Sequence, residues 1–219
     1  MMPVSVEIRR GTGRSVEREM GRLSRHSFSF GATYDPDNLR FGPMVCHDDH
    51  LLGPGRGFDT HRHSNLVIVT HVVSGELVHT GPTGSAVLGA GRVAVLRTGD
   101  GTEHSEVAGE RPTRFVQTWL TDEDGRGADV ASYDVLDAPV DGAAVELPGA
   151  RLTVVRLADG ETGTLPAAPL LHVYVVRGAL LRSSLAEPLQ EGDAFRFTDE
   201  PAHEVTAGVD TELLVWAFA

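Results

Sequence analysis

Cysteine is almost absent from this chain. Cys46 is the single one in 219 residues, so no intrachain disulfide can form, the scaffold must be a packed core, and a reducing compartment fits. Cys46 itself is expected as a small buried apolar residue. Positive charge is scarce: 19 basic residues stand against 31 acidic ones, a formal net charge of −12. The basic residues nearest together, Arg9, Arg10 and Arg14, lie among Glu7, Glu17 and Glu19. Such a balance repels polyphosphate, so no direct nucleic-acid partner is expected. Long apolar runs are missing too. None approaches the ~20 residues of a membrane span, and the first 13 residues lack the apolar stretch of a secretion signal. The expectation is a cytoplasmic protein with no membrane partner.

What the chain does have is glycine and proline, 25 and 12 of them, which punctuate short runs rich in β-branched residues. Strands are expected at 66–73, 76–79, 86–88, 93–96 and 114–120. A polar, aperiodic stretch at 121–131 reads as a linker, after which strands recur at 143–147, 151–157, 170–176, 179–183, 194–197 and 212–218. The two halves look like copies. Val72-Val73-Ser74-Gly75-Glu76-Leu77 matches Val175-Val176-Arg177-Gly178-Ala179-Leu180, and Gly89-Ala90-Gly91-Arg92-Val93 loosely matches Gln190-Glu191-Gly192-Asp193-Ala194. A weak internal repeat of this kind predicts an all-β fold of two β-barrels in tandem, with domains at 1–125 and 126–219. Two unrelated β-sandwiches are the alternative.

Chemistry concentrates in the first half. His61 and His63 bracket Arg62, and His104 and Glu106 bracket Ser105. On a strand, residues i and i+2 share a face, so each pair can aim both side chains at one point. Three imidazoles and a carboxylate suit one divalent first-row metal with positions left open. The expected metal ligands are therefore His61, His63, His104 and Glu106. Fe(II) is the first choice because no thiolate is offered and open nitrogen-and-carboxylate sites suit oxygen chemistry; Mn, Ni, Cu and Zn remain compatible. Two surface histidines on a turn is the bland alternative for His61 and His63.

Other histidines receive structural roles. His71 stands eight residues past His63, about 26 Å along an extended strand, too far to join the same ion. His71 and His79 are expected as packed core histidines. The group Cys46-His47-Asp48-Asp49-His50 is expected as a solvated turn that could touch a pocket rim. In the second half, alignment on Gly75 and Gly178 puts Thr164 and Pro166 where His61 and His63 stand, with His203 near the counterpart of His104. No metal is expected there.

With those residues in view, the chain resembles the pirin family of the cupin superfamily. The likeness runs from His26-Ser27-Phe28-Ser29-Phe30 and Tyr34-Asp35-Pro36-Asp37-Asn38 through Arg40-Phe41-Gly42 to Pro54-Gly55-Arg56-Gly57-Phe58-Asp59-Thr60-His61-Arg62-His63. It continues through Val69-Thr70-His71-Val72-Val73-Ser74-Gly75-Glu76-Leu77 and His79 to Gly99-Asp100-Gly101-Thr102-Glu103-His104-Ser105-Glu106. The resemblance implies a bicupin with metal in the N-terminal barrel, and it puts the family's three histidines and glutamate on His61, His63, His104 and Glu106. The chain departs from the family in carrying Arg62 where proline is common, Val67 where a glutamate often stands, and His47-Asp48-Asp49 where an asparagine-containing acidic turn is usual. These leave the ligands intact and bear on the pocket mouth, through Arg62 and His47.

The same resemblance implies a quercetinase-like dioxygenase acting on a small aromatic or enolic substrate and dioxygen, with Glu106 as the candidate catalytic base for a phenolic proton. It also admits an iron-bearing redox sensor that binds a protein partner, or a cupin with another enolisable substrate.

Overall fold

The computed structural model describes residues 5–31, 33–121, 130–136, 143–183 and 187–219. It is all-β. After β1 (Val6–Arg9) and a 3-10 turn at Gly11–Gly13 come β2 (Ser15–Glu19), β3 (Arg22–His26), β4 (Met44–Leu52), β5 (Gly57–His63), β6 (Leu66–Ser74), β7 (Glu76–Gly81), β8 (Gly84–Gly89), β9 (Val93–Arg97), β10 (Thr102–Ala108), β11 (Thr113–Thr121) and β12 (Ser132–Leu136). The later strands are β13 (Ala144–Leu147), β14 (Ala150–Leu157), β15 (Thr162–Leu165), β16 (Ala168–Arg177), β17 (Ala179–Leu180), β18 (Leu189–Gln190), β19 (Ala194–Glu200), β20 (His203–Thr206) and β21 (Thr211–Phe218). No helix among the described residues is long and apolar enough to cross a membrane.

The chain forms two compact units, 14–139 and 1–13 with 140–219. The sequence expectation divided it at 125. Backbone pairing explains the difference at both ends: β1 hydrogen-bonds to β19, while β12 adds to β9. Most of the expected linker, 122–129, lies outside the described residues.

The unit of 14–139 has a seven-stranded sheet, β12-β9-β6-β11-β4-β3-β2, and a four-stranded sheet, β5-β10-β7-β8. Its core takes Leu52, Val72, Ala94 and Phe115 from the first and Leu77, Leu88 and Ala108 from the second. Central strand β6 is buried from Val67 to Val73, as its β-branched run predicts for a strand covered on both faces. His71 is buried within it.

The other unit has the sheet β1-β19-β16-β21-β14-β13 and the pairs β15-β20 and β17-β18, around its own core of Val173, Val175, Phe195, Phe197 and Leu213 among others.

The repeat is visible in single atoms. Gly75 and Gly178 have φ of 79° and 83°, the left-handed region that favours glycine. A Cβ on Gly75 would meet Pro112 O at 2.5 Å, and one on Gly178 would meet Asp210 O at 2.4 Å. Beside each turn a threonine does the same work. Thr113 Oγ1 accepts from Glu76 N and donates to Glu76 O, and Thr211 Oγ1 does so with Ala179. Gly91 N donates to Val72 O and Gly192 N to Val175 O, which fixes the looser match of the two glycine turns as well.

The equivalence also refines one expectation. His61 pairs with His104 across β5 and β10, whereas Thr164 pairs with Glu204 across β15 and β20. Glu204, not His203, is thus the counterpart of His104; His203 bonds Glu200 at 2.9 Å.

The group at 46–50 overturns its expectation. It is no solvated turn but the middle of β4, with Cys46, His47, Asp48, Asp49 and His50 all buried. Strand β4 lies between β3 and β11, so each polar side chain finds a cross-strand partner. His26 bonds Asp48, Ser24 bonds His50, Thr118 bonds His47, and Arg114 grips Asp49 with two bonds of 3.0 and 2.6 Å. Cys46 is buried as expected, and that burial pushes its thiol well above the ordinary range, with the neighbouring Asp48 adding to the shift.

Candidate metal centre and its pocket

Strands β5 and β10 bring the two sequence pairs together, with His104 directly opposite His61. The register then slips: Glu106 faces Phe58, so β5 spends one residue more than β10 between the two pairings. A bulge of this kind re-aims side chains beside functional sites. Here it leaves Asp59 O to accept a hydrogen bond from His61 Nδ1 at 2.7 Å, which fixes the tautomer and leaves the lone pair on Nε2.

One ring nitrogen from each of His61, His63 and His104 falls within 4.8 Å of the others. The three rings crowd at centroid separations of 4.4 to 5.1 Å. Nε2 of His63 and Nε2 of His104 are buried and accept or donate no hydrogen bond. Burial, reinforced by His104 and His61, lowers His63 to about 4, so its imidazole is neutral at pH 7, as metal ligation requires. Convergent ring nitrogens, two of them buried and without a partner, fit a divalent cation.

Glu106 is placed differently from the four-ligand expectation. It belongs to a second triad, His79, His104 and Glu106, whose donor atoms also lie within 4.8 Å; His104 is the shared member. Glu106 Oε1 lies 3.0 Å from His104 Nδ1 and 3.7 Å from His79 Nε2. Burial would raise its carboxyl, yet the His104 hydrogen bond, the charges of His104 and His79, and the Gln117 amide hold it at about 2. Across the ladder His79 stands directly opposite Glu106. It is a packed core histidine as expected, stacked on Tyr133 at 4.6 Å, and burial is the main cause that lowers it to about 4. Its place beside the metal candidates was not foreseen.

Gln117 and Trp119 were missed altogether. Both come from β11 in the facing sheet and, two residues apart, share one face. Trp119 Nε1 donates to Gln117 Oε1 at 2.8 Å, and Gln117 Nε2 donates to Glu106 Oε1 at 2.7 Å. The only signal in the sequence was the parity of that strand.

These groups border a cavity of about 510 Å³, within the usual range for small-molecule sites. His61, His63, Glu106 and Gln117 line it together with Phe30, Phe58 and Trp119, and β2, β3 and β4 supply Glu17, Arg22, His26, Asp48 and His50. Arg62 and His47, expected to shape the mouth, are not among the lining residues. The Arg62 guanidinium turns to Asp100 O at 3.0 Å, and His47 points to the other face of β4 toward Thr118. Among the described residues, both donor triads lie in this unit.

Two β units in tandem, with a convergent histidine cluster beside a cavity in one of them, define a bicupin. The family model for pirin matches residues 9–120. A Mycobacterium tuberculosis protein named "Putative quercetin 2,3-dioxygenase" is 39% identical over 236 residues, covering 98% of this chain and 96% of that one. The structure of the bacterial pirin YhhW from Escherichia coli in complex with nickel(II) has a TM-score of 0.87 at 23% identity, over 97% of this chain and 98% of that one. A quercetin 2,3-dioxygenase from Acinetobacter baumannii has a TM-score of 0.70 at 16% identity, over 97% and 79%. The chain belongs to the pirin family.

Proposed function

We propose that the protein is a metal-dependent dioxygenase that opens a flavonol such as quercetin, or a closely related enol, in the cytoplasm. The observation that carries this is the convergence of His61, His63 and His104, with buried unpartnered Nε2 atoms on His63 and His104, beside a cavity that His61 and His63 line with Phe30, Phe58 and Trp119. The names of the relatives point the same way. His61, His63 and His104 would hold the ion, with Glu106 as the fourth ligand. A bound Fe(II), or nickel in its stead, supplies Lewis-acid and template chemistry for the enolic oxygen and dioxygen.

The chain's own groups do the rest. Phe30, Phe58 and Trp119 give the cavity aromatic walls against which an aromatic ring can pack. Asp59 O and Glu106 hold the tautomers of His61 and His104. Swung off the ion, Glu106 would take the phenolic proton as general base, with Gln117 Nε2 donating to its Oε1.

Oxygen uptake and carbon monoxide release by metal-loaded protein with quercetin test the proposal. Wild type should show both and His104→Ala neither. Metal-replete wild type that leaves quercetin and a panel of flavonols intact would refute it.

A further inference from the structure

The cavity contains a second polar group that the proposed reaction does not use. His26 on β3 and Asp48 on β4 stand opposite each other in the ladder, 5% and 4% exposed. Asp48 Oδ2 accepts from His26 Nδ1 at 2.7 Å, so Asp48 fixes the ring and leaves Nε2 as its outward atom. Phe30 stacks on the imidazole at 4.6 Å and 14° and limits its rotation. Nε2 of His26 is buried and makes no hydrogen bond. The nearest carboxylate, Glu17 on β2, stands 3.7 Å away, beyond hydrogen-bond reach.

A buried donor left unmade is costly, and here both residues of the dyad line the same cavity as His61 and His63. Burial pushes the His26 imidazole down, but the Asp48 hydrogen bond and charge, with Glu17 behind them, bring it above its ordinary value. Asp48 on one side and Glu17 on the other thus favour the imidazolium form more than water does.

We infer that His26, oriented by Asp48, is a substrate-binding residue whose Nε2–H donates to an anionic oxygen of the bound aromatic, a phenolate, on the seven-stranded-sheet side of the cavity. The inference rests on the aromatic-substrate reading of this pocket and adds to it the ionised form in which the ring is bound. Glu17 is the competing anion. Its side chain is 46% exposed, so it can turn into solvent when the phenolate enters. A charge-assisted hydrogen bond in a desolvated pocket is about twice as strong as a neutral one, which sets the expected size of the effect.

The test titrates 4-nitrophenol, seen by its phenolate absorbance, and nitrobenzene, its neutral analogue, against full-length wild type, His26→Gln and Glu17→Gln in one metal-loaded state. His26→Gln should weaken nitrophenolate binding by about tenfold or more and leave nitrobenzene unchanged. Glu17→Gln, at a half-exposed edge-strand position that tolerates substitution, should tighten nitrophenolate several-fold. Equal nitrophenolate binding by wild type and His26→Gln, equal loss of both probes, or no gain in Glu17→Gln would overturn the assignment. Quercetin turnover is followed in the same samples. If quercetin survives while His26 still discriminates nitrophenolate from nitrobenzene, the flavonol reading fails and the role of His26 stands.

Discussion

Gln117 reaches across from one sheet to hold Glu106 on the other, its Nε2 donating to Oε1 at 2.7 Å, while Trp119 fixes the amide from behind. The contact aims a buried carboxylate at the histidine cluster. Partners of this kind typically tune metal affinity or activity by about 10–100-fold. Gln117→Leu should therefore lower metal affinity or kcat by about that factor, whereas Gln117→Glu, which sets two carboxylates together, should do worse. Competition against a chromophoric chelator and steady-state rates measure both.

Asp49 is 2% exposed and held by Arg114 through two hydrogen bonds. Removing one partner of a buried ion pair costs about 3–5 kcal/mol. Asp49→Ala should lose stability on that scale in urea unfolding at pH 7, and Arg114→Met, which leaves the carboxylate buried, should lose a similar amount.

The His26–Asp48 pair predicts a pH window. His26 is raised from 6.5, so its contribution is full below 6.5 and fades as pH rises through the higher folded value. Asp48 is lowered from 3.8, so its contribution is full above 3.8 and fades as pH falls through the lower folded value. The destabilisation caused by Asp48→Asn should thus be largest between these limits, near pH 5.5, and shrink toward pH 9. Unfolding curves for both proteins across that range decide it.

Gly75 and Gly178 carry the same turn in the two units. Alanine at either meets a carbonyl oxygen at 2.5 or 2.4 Å and occupies a disfavoured φ, which costs more than about 1 kcal/mol. Gly75→Ala and Gly178→Ala should each lower the melting temperature; a neutral result at one would mean that the two turns are not equivalent.

Much of this was legible beforehand, and the division follows physical lines. Strands β6, β9, β11, β14, β16, β19 and β21 were expected because their apolar side chains build the two cores. Strands β7, β8, β13 and β17 were expected too, whereas the polar β4 was not. β4 reads as a turn because its charges suggest water, while in the fold neighbouring strands replace water with Ser24, His26, Thr118 and Arg114. The i, i+2 spacing brought His61, His63 and His104 to one place. It could not reveal that the ladder sets His79 opposite Glu106 or that Gln117 crosses from another sheet, because register is a property of pairing and not of either strand alone.

The central claim is that three imidazoles of β5 and β10 hold a cation. Anomalous diffraction at the nickel edge, from crystals grown with nickel(II), tests it most directly. A single strong peak should lie within about 2.3 Å of ring nitrogens of His61, His63 and His104 and vanish in His63→Ala. A featureless map at that point, with nickel bound elsewhere or nowhere, would contradict it.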